Sequence, residues 1–290
     1  MRSGRVSTTA KVIAASTILL ASDRRTAWLV APGAEALCRQ LLSTTLGDRM
    51  LASSAGNQLL RLLWRWLERR LLPGIMAHYW QRKRWIEDQT RAALAEGFVR
   101  VIVLGAGFDT LAYRLAREFP DVEFIEIDHP ATQAAKRKGL ASAAPVNMKF
   151  VAVDLEQELI PQSLARDSRP MVVIAEGLLM YLRAEHIERL LASLQQSSAG
   201  PVRLMFSYMV RWPDGTSGFR PSSAWIGRWL AWRGEPFTWV LEPQAVGGFL
   251  ARHHFVLAEI ATPQEFGGRP IDAAGLHGEN LVLCDAVRGC

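Results

Sequence analysis

From residue 99 onward, short apolar runs alternate with stretches of helical spacing, whereas the first 98 residues carry only the helical pattern. Leu59, Leu60, Leu63, Trp66 and Leu67 recur at the three-to-four-residue interval of one helix face, and Ile75 to Ala95 continues as a second helix that Gly97 stops. The apolar runs are VRVIVL (99–104), VEFIEI (122–127), MKFVAV (148–153), MVVIAE (171–176) and VRLMFS (202–207). Runs of this length, separated by helices, predict βαβ units and a parallel sheet buried on both faces. Residues 211–240, rich in Trp, Gly and Pro, break the pattern as a lid would. A helix from Pro243 to Arg252 and two last runs, FVLAEI (255–260) and NLVLCDAV (280–287), complete the sheet as a hairpin. No internal repeat, low-complexity tract or linker divides the chain. The pattern predicts an α/β domain over 99–290 with a lid insertion at about 211–240, preceded by a helical cap over 1–98.

The start of the chain, MRSGRVSTTAKVIAASTILLASD, has the basic residues, apolar stretch (Val12–Ala21) and small residues of a signal peptide. Ser16 and Thr17 interrupt that stretch, which is too short to span a bilayer, and the reading adopted is an amphipathic helix packed on the domain. The 49% hydrophobic content is ample for a core. Cys38, Cys284 and Cys290 have no CxxC spacing, so neither a zinc site nor a disulfide framework is expected, and no metal is assigned. The net charge of +6 lies wholly in the N-terminal third, where 15 Lys/Arg face 7 Asp/Glu in residues 1–98. Only five of the 34 basic residues are lysine, and an Arg-heavy, Ala-heavy composition reflects genome base bias as readily as a phosphate-binding face. Nucleic acid is therefore not the expected partner.

The chemistry begins where the first run breaks into Gly105-Ala106-Gly107. A strand ending in Gly-x-Gly lets the backbone turn sharply and approach a ligand, and ligands of open α/β sheets lie at the carboxyl ends of the strands. Two adenosine-bearing cofactors compete for such a turn: a nicotinamide dinucleotide and S-adenosylmethionine. The dinucleotide fingerprint wants a third glycine three residues after the second, where this chain has Thr110. Asp109, also in the turn, is a poor neighbour for a pyrophosphate but a suitable one for a cationic sulfonium and amino group. Asp128 ends the second run where a carboxylate can accept from both hydroxyls of an adenosine ribose, with His129 beside it. Asp154 ends the third, placed to accept from an adenine amino group while the Leu155 backbone faces a ring nitrogen. Each carboxylate has a plainer role open to it as a helix cap after a strand.

Together LGAGFDTLAYRL, EIDHP, DL and VIAEGLLMYL (173–182) resemble the leucine carboxyl methyltransferase family in its broad sense, which includes many bacterial S-adenosylmethionine-dependent O-methyltransferases. The ordered motifs span about residues 78–210, with looser likeness in YWQRKRWIED (79–88) and GEPFTW (234–239). The resemblance implies a class I methyltransferase fold: a Rossmann-like, seven-stranded, mostly parallel sheet with an antiparallel last strand, and a helical N-terminal lid. It further implies that Gly105 lies beside the methionine portion of S-adenosylmethionine, Asp128 at the ribose, Asp154 and Leu155 at the adenine, and Glu176, with Gly177, near the methionine amino group. Arg82 or Arg84 is then the arginine that pairs with the cofactor carboxylate, a match suited to the guanidinium fork. The chain departs from the family at its start, with STTAKV (7–12) for the common SRTA and TAWLVAP (26–32) for the frequent FxDP stretch, which touches the acceptor side. A cytoplasmic enzyme is implied.

Methyl transfer is an in-line displacement, so positioning and exclusion of water outweigh acid–base chemistry. A carboxylate acceptor arrives ionised, whereas a phenol or alcohol needs a general base in reach. His129, His186, His253 and His254 occupy no convincing position for one, and Tyr181 and Tyr208, near the ends of the fourth and fifth runs, are candidates to orient an acceptor or equally core tyrosines. Five of the ten tryptophans lie at or before Trp85 and five between 212 and 239, in the cap and the lid, where they would wall an apolar acceptor pocket or simply pack helices. The expected activity is O-methylation of a carboxyl or hydroxyl oxygen of a small metabolite. The alternatives are a tRNA or protein methyltransferase on the same fold, or a relative that keeps the cofactor site without methylating.

Overall fold

The computed structural model describes residues 6–140, 144–158, 160–161, 168–197, 200–223, 237–266 and 276–287. Each of the seven apolar runs forms a strand: β1 (Arg100–Leu104), β2 (Glu123–Asp128), β3 (Met148–Ala152), β4 (Met171–Ala175), β5 (Val202–Val210), β7 (Phe255–Ala261) and β8 (Glu279–Ala286). A short eighth strand, β6 (Val240–Leu241), pairs in parallel with the end of β5. The spatial order is β3-β2-β1-β4-β5-β8-β7, and β8 alone among these runs antiparallel to its neighbours β5 and β7. The fold is therefore the α/β class I architecture, mostly parallel with an antiparallel last strand.

Strands β1 and β4 occupy the centre, and all five residues of each are buried, which is why they read as unbroken apolar runs. Successive side chains of a strand point to opposite faces. Val101, Val103, Val172 and Ile174 accordingly join one core cluster, while Ile102, Leu104, Val173 and Ala175 join the other. The second cluster is closed by α8 (Ala184–Ser197), through Ile187, Leu190 and Leu191, and by α9 (Val246–Arg252) through Val246, Phe249 and Leu250. Between the early strands lie α6 (Leu111–Glu118) and α7 (Pro130–Leu140).

Five helices precede the sheet: α1 (Thr8–Ala21), α2 (Ala34–Leu41), α3 (Leu46–Gly56), α4 (Gln58–Leu71) and α5 (Ile75–Ala95). Side-chain caps fix three of their starts, with Ser7 accepting from the Ala10 N–H, Thr45 from Asp48 and Asn57 from Leu59. Helices α1, α2 and α5 share the first core cluster with β1 and β4, so the N-terminal third is continuous with the core of the sheet. The expectation that the first helix is amphipathic is corrected. Every residue of α1 from Ala14 to Leu20 is buried, and Ser16 and Thr17 satisfy their hydroxyls on the Ile13 carbonyl at 2.7 and 3.1 Å. A helix apolar all round belongs inside a core, and back-bonded hydroxyls let two polar residues sit there. Trp80 and Trp85 are likewise core residues, Trp80 donating to Thr17 Oγ1 at 3.0 Å, and Trp239 is buried in the second cluster. Trp225, Trp229 and Trp232 of the expected lid lie outside the described residues.

Candidate functional site

The strand order reverses at β1: β2 and β3 lie on one side of it, β4 and β5 on the other. The turns leaving β1 and β4 therefore diverge, and the crevice between them is where an open α/β sheet takes a ligand. That crevice is a cleft lined by Gly105, Ala106, Gly107, Asp109, Asp128, Glu176, Gly177 and Tyr181, together with Arg82 and Lys83 of α5 and Ser7, Thr9, Ala10 and Ile13 at the start of α1.

The glycines are needed where the backbone turns and where α1 approaches. Gly105 has φ +63, and a Cβ there would stand 2.8 Å from Leu178 Cδ1; at Gly107, φ +49, it would meet Ala10 Cβ at 3.2 Å. Asp128 fastens the turn. One carboxylate oxygen accepts from the Gly107 N–H and the other from the His129 N–H at 2.6 Å. Burial pushes its carboxyl above the ordinary value, against the pull of those two N–H groups. Asp109 accepts from the Leu111 N–H at 2.7 Å, in a local turn ahead of the Thr110 start of α6, and it is ion-paired with Lys83. Although burial opposes it, the Lys83 charge holds the Asp109 carboxyl well below the carboxylate range.

Arg82 is buried and clamped from two sides. Its Nε and Nη2 donate to Glu176 at 2.9 and 2.6 Å, and its Nη1 reaches both oxygens of Glu279 at 2.6 and 2.7 Å. His78 Nε2 meets the same Glu279 at 2.8 Å. Burial would raise the Glu279 carboxyl, but Arg82 and His78 hold it down at about 2. Lys83 bridges Asp109 to Glu176, 3.1 Å from the latter. Sequence reasoning missed Lys83, Glu279 and the α1 start. Lys83 stood in view between two arginines, and Glu279 opens an otherwise apolar run, which is the signature of a buried, paired carboxylate.

Other expected residues lie elsewhere. Arg84 is half-buried and outside the cleft lining, so of the two arginines the structure brings Arg82 to it. Asp154 closes a turn of its own, accepting from the Glu156 N–H at 3.1 Å and from Gln157 Nε2 at 3.0 Å, with His129 Nε2 at 3.9 Å. Leu155 lines a separate small depression with His186 and Leu190. Tyr208 is fully buried, 3.2 Å from Asn280 Nδ2 through its hydroxyl, and burial raises its pKa; it does not reach the cleft. Tyr181 does, and it also packs against an apolar cluster of Leu72, Met180, Met209, Phe219 and Leu276, with Phe237 at 5.7 Å between ring centres. Among the described residues no group of His, Cys, Asp and Glu is arranged to hold a metal ion.

Tested against this cleft, S-adenosylmethionine fits. The lining carries three carboxylates (Asp109, Asp128, Glu176) against two cations (Arg82, Lys83), a balance that suits a sulfonium and an ammonium and opposes a pyrophosphate.

The family model for leucine carboxyl methyltransferase matches residues 12–195. A protein of Parafrankia sp. (strain EAN1pec), provisionally named an S-adenosyl-L-methionine-dependent methyltransferase, is 30% identical over 182 residues, covering 53% of this chain and 57% of its own. Another of that provisional name from Streptomyces coelicolor is 31% identical over 173 residues, covering 53% of this chain and 60% of its own. The chain thus spans little more than half the length of these relatives. Among solved structures, a provisionally assigned methyltransferase of Thermobifida fusca YX superposes with TM-score 0.58 at 18% identity, over 87% of this chain and 94% of that one, a likeness of fold.

Proposed function

Because the chain belongs to the leucine carboxyl methyltransferase family, we propose that it transfers a methyl group from S-adenosylmethionine to a carboxyl or hydroxyl oxygen of a small, apolar or aromatic metabolite. The observation that carries the reading is the meeting of the Gly105–Gly107 turn, Asp128 and Glu176 in one cleft of net negative lining. When bound, S-adenosylmethionine supplies an electrophilic methyl on a positively charged sulfur. Asp128 would hold the ribose hydroxyls, Glu176 and Asp109 the amino group and sulfonium, and Arg82 with Lys83 the carboxylate. Asp154 and Leu155, at the neighbouring strand end, are the candidates for the adenine side, with His129 between them and Asp128.

The chain's own work is positioning. Asp128 keeps the glycine turn closed by accepting from Gly107 and His129. Arg82 is oriented by Glu279, a preorganisation that spares reordering cost on binding. The α1 start and Tyr181 wall the cleft and limit water. Tyr181, which joins the cleft to the apolar cluster of Leu72 and Phe219, supports an apolar acceptor at that end. Its phenol is the group best situated to orient the attacking oxygen. A carboxylate acceptor would need no base.

Isothermal titration with S-adenosylhomocysteine and with NAD tests the cofactor, the first expected to bind and the second not. NAD binding without response to S-adenosylhomocysteine would end the reading. Methyl transfer from labelled cofactor to a panel of carboxylic acids and phenols, read by mass spectrometry, tests the acceptor class.

A further inference from the structure

Helix α4 is oriented the wrong way round for a helix of a self-contained protein. Its strongly apolar residues Leu59, Leu62, Leu63 and Trp66 fall at i, i+3, i+4 and i+7, one continuous stripe. That stripe faces outward: the four residues are 79%, 68%, 50% and 55% exposed, and no residue of α4 is buried. The inward side is the polar one. Arg61 donates to the Ser22 carbonyl, Arg65 pairs with Asp23, Trp64 Nε1 donates to Ser54 Oγ at 3.2 Å, and Glu68 accepts from the Met76 N–H at 3.0 Å. An amphipathic helix ordinarily turns its apolar stripe to the core. Here polar bonds hold the stripe out, so the exposure is built into the packing.

The charge around the stripe indicates what covers it. Arg69 and Arg70 are exposed on α4 itself, with Arg70 lying over the Trp66 ring at 5.7 Å. Arg24, Arg25 and the half-exposed Trp28 follow the Ser22–Asp23 turn that Arg61 and Arg65 tie to α4. The acidic groups beside them are engaged, Asp23 by Arg65 and Glu68 by the Met76 backbone. Leucines and tryptophans on the exposed side of a helix bordered by arginines match an anionic lipid surface, where apolar side chains enter the acyl boundary and guanidinium groups meet phosphates. A second copy would bring an equally basic N-terminal third to the same face, and like charge opposes that contact. A nucleic acid would engage the arginines and leave the stripe in water.

We propose that the outward face of α4 docks the protein reversibly on an anionic phospholipid surface. No helix among the described residues is long and apolar enough to cross a membrane, so the contact lies in the plane of the interface. Co-sedimentation of the full chain with vesicles of phosphatidylcholine alone, or mixed with phosphatidylglycerol, tests it. Binding is expected to the mixed vesicles, to weaken with salt, and to fall at least tenfold in Leu62→Ser/Leu63→Ser and in Arg69→Gln/Arg70→Gln. Both variants alter exposed side chains, and an unchanged thermal midpoint verifies their folding. Failure to bind mixed vesicles, or binding by either variant as tight as the parent's, overturns the proposal. So does analytical ultracentrifugation showing a dimer that the leucine variant converts to monomer, which would assign the face to a second copy.

Discussion

Asp128 has two tasks that a single substitution separates from the rest of the site. Its carboxylate closes the glycine turn and is the candidate ribose acceptor. Asp128→Ala is expected to weaken S-adenosylhomocysteine binding by about 2 to 4 kcal/mol, from two charged hydrogen bonds of roughly 1.5 to 3 kcal/mol each less water compensation. Titration calorimetry checks this, and parental affinity would withdraw the ribose assignment. Glu279 gives a prediction in pH. Its carboxyl is held at about 2 in the folded protein, below the ordinary carboxylate value, so its stabilising contribution is full above that value and is lost as pH falls towards 2. The stability gap between the parent and Glu279→Gln is therefore expected to narrow between about pH 4.5 and 2. Urea midpoints measured across that window decide it; a constant gap would mean that the Arg82–Glu279 charge pair is not what Gln removes. Asp128 was legible in the sequence because it follows an apolar run directly, and Glu176 through the likeness of VIAEGLLMYL to the family motif. The partnership of Arg82 with Glu279 was not, since 197 residues separate them and only the placement of β8 beside β5 brings them together.

At the scale of elements, α1 invites the sharpest test. Ile18 is fully buried in the cluster that joins the N-terminal helices to β1 and β4. Ile18→Ala is expected to cost about 2 to 5 kcal/mol, the range for emptying a core site, and a denaturant titration reads it directly. A loss under 0.5 kcal/mol, about that of a surface change, would mean that α1 is an appendage. Seven runs became seven strands: the central β1 and β4 were legible because residues buried on both faces leave continuous apolar runs, whereas the edge strands β3 and β7 are apolar in sequence but only partly buried. Strand β6 escaped notice because two residues, Val240 and Leu241, carry no period. The burial of α1 was harder to see for a different reason: Ser16 and Thr17 interrupt its pattern, and their satisfaction by the Ile13 carbonyl is a property of the helix once formed. Helix α5 bears Arg82 and Lys83, so ligand contact there is expected to slow hydrogen exchange over Ile75–Ala95. Equal protection with and without S-adenosylhomocysteine would detach α5 from cofactor binding.

For the whole molecule, two groups stand out among the described basic residues of the N-terminal third. Lys11, Arg39, Arg65, Arg82, Lys83 and Arg91 are paired with carboxylates, whereas Arg69 and Arg70 stand exposed on α4 and Arg24 and Arg25 stand exposed after the Ser22–Asp23 turn. A cofactor that binds only the folded protein stabilises it by about 2.7 kcal/mol at a hundred times its Kd. Saturating S-adenosylhomocysteine is therefore expected to raise the thermal midpoint by several degrees, and no rise would contradict binding at the cleft.

The shared core of the N-terminal helices and the sheet also sets an order in time. Helix α2 rests on α7, so closely that a Cβ at Gly139 would stand 2.9 Å from Leu41 Cα, and its contacts therefore wait for residues synthesised roughly a hundred positions later. At about 5 to 20 residues per second, the ribosome takes roughly 5 to 20 s to supply them. Until then the side of α2 that meets α7 has nothing of its own chain to cover it, although α1, α2 and α5 already cover one another. The burial of the N-terminal helices is consequently completed only when the first half of the sheet has emerged.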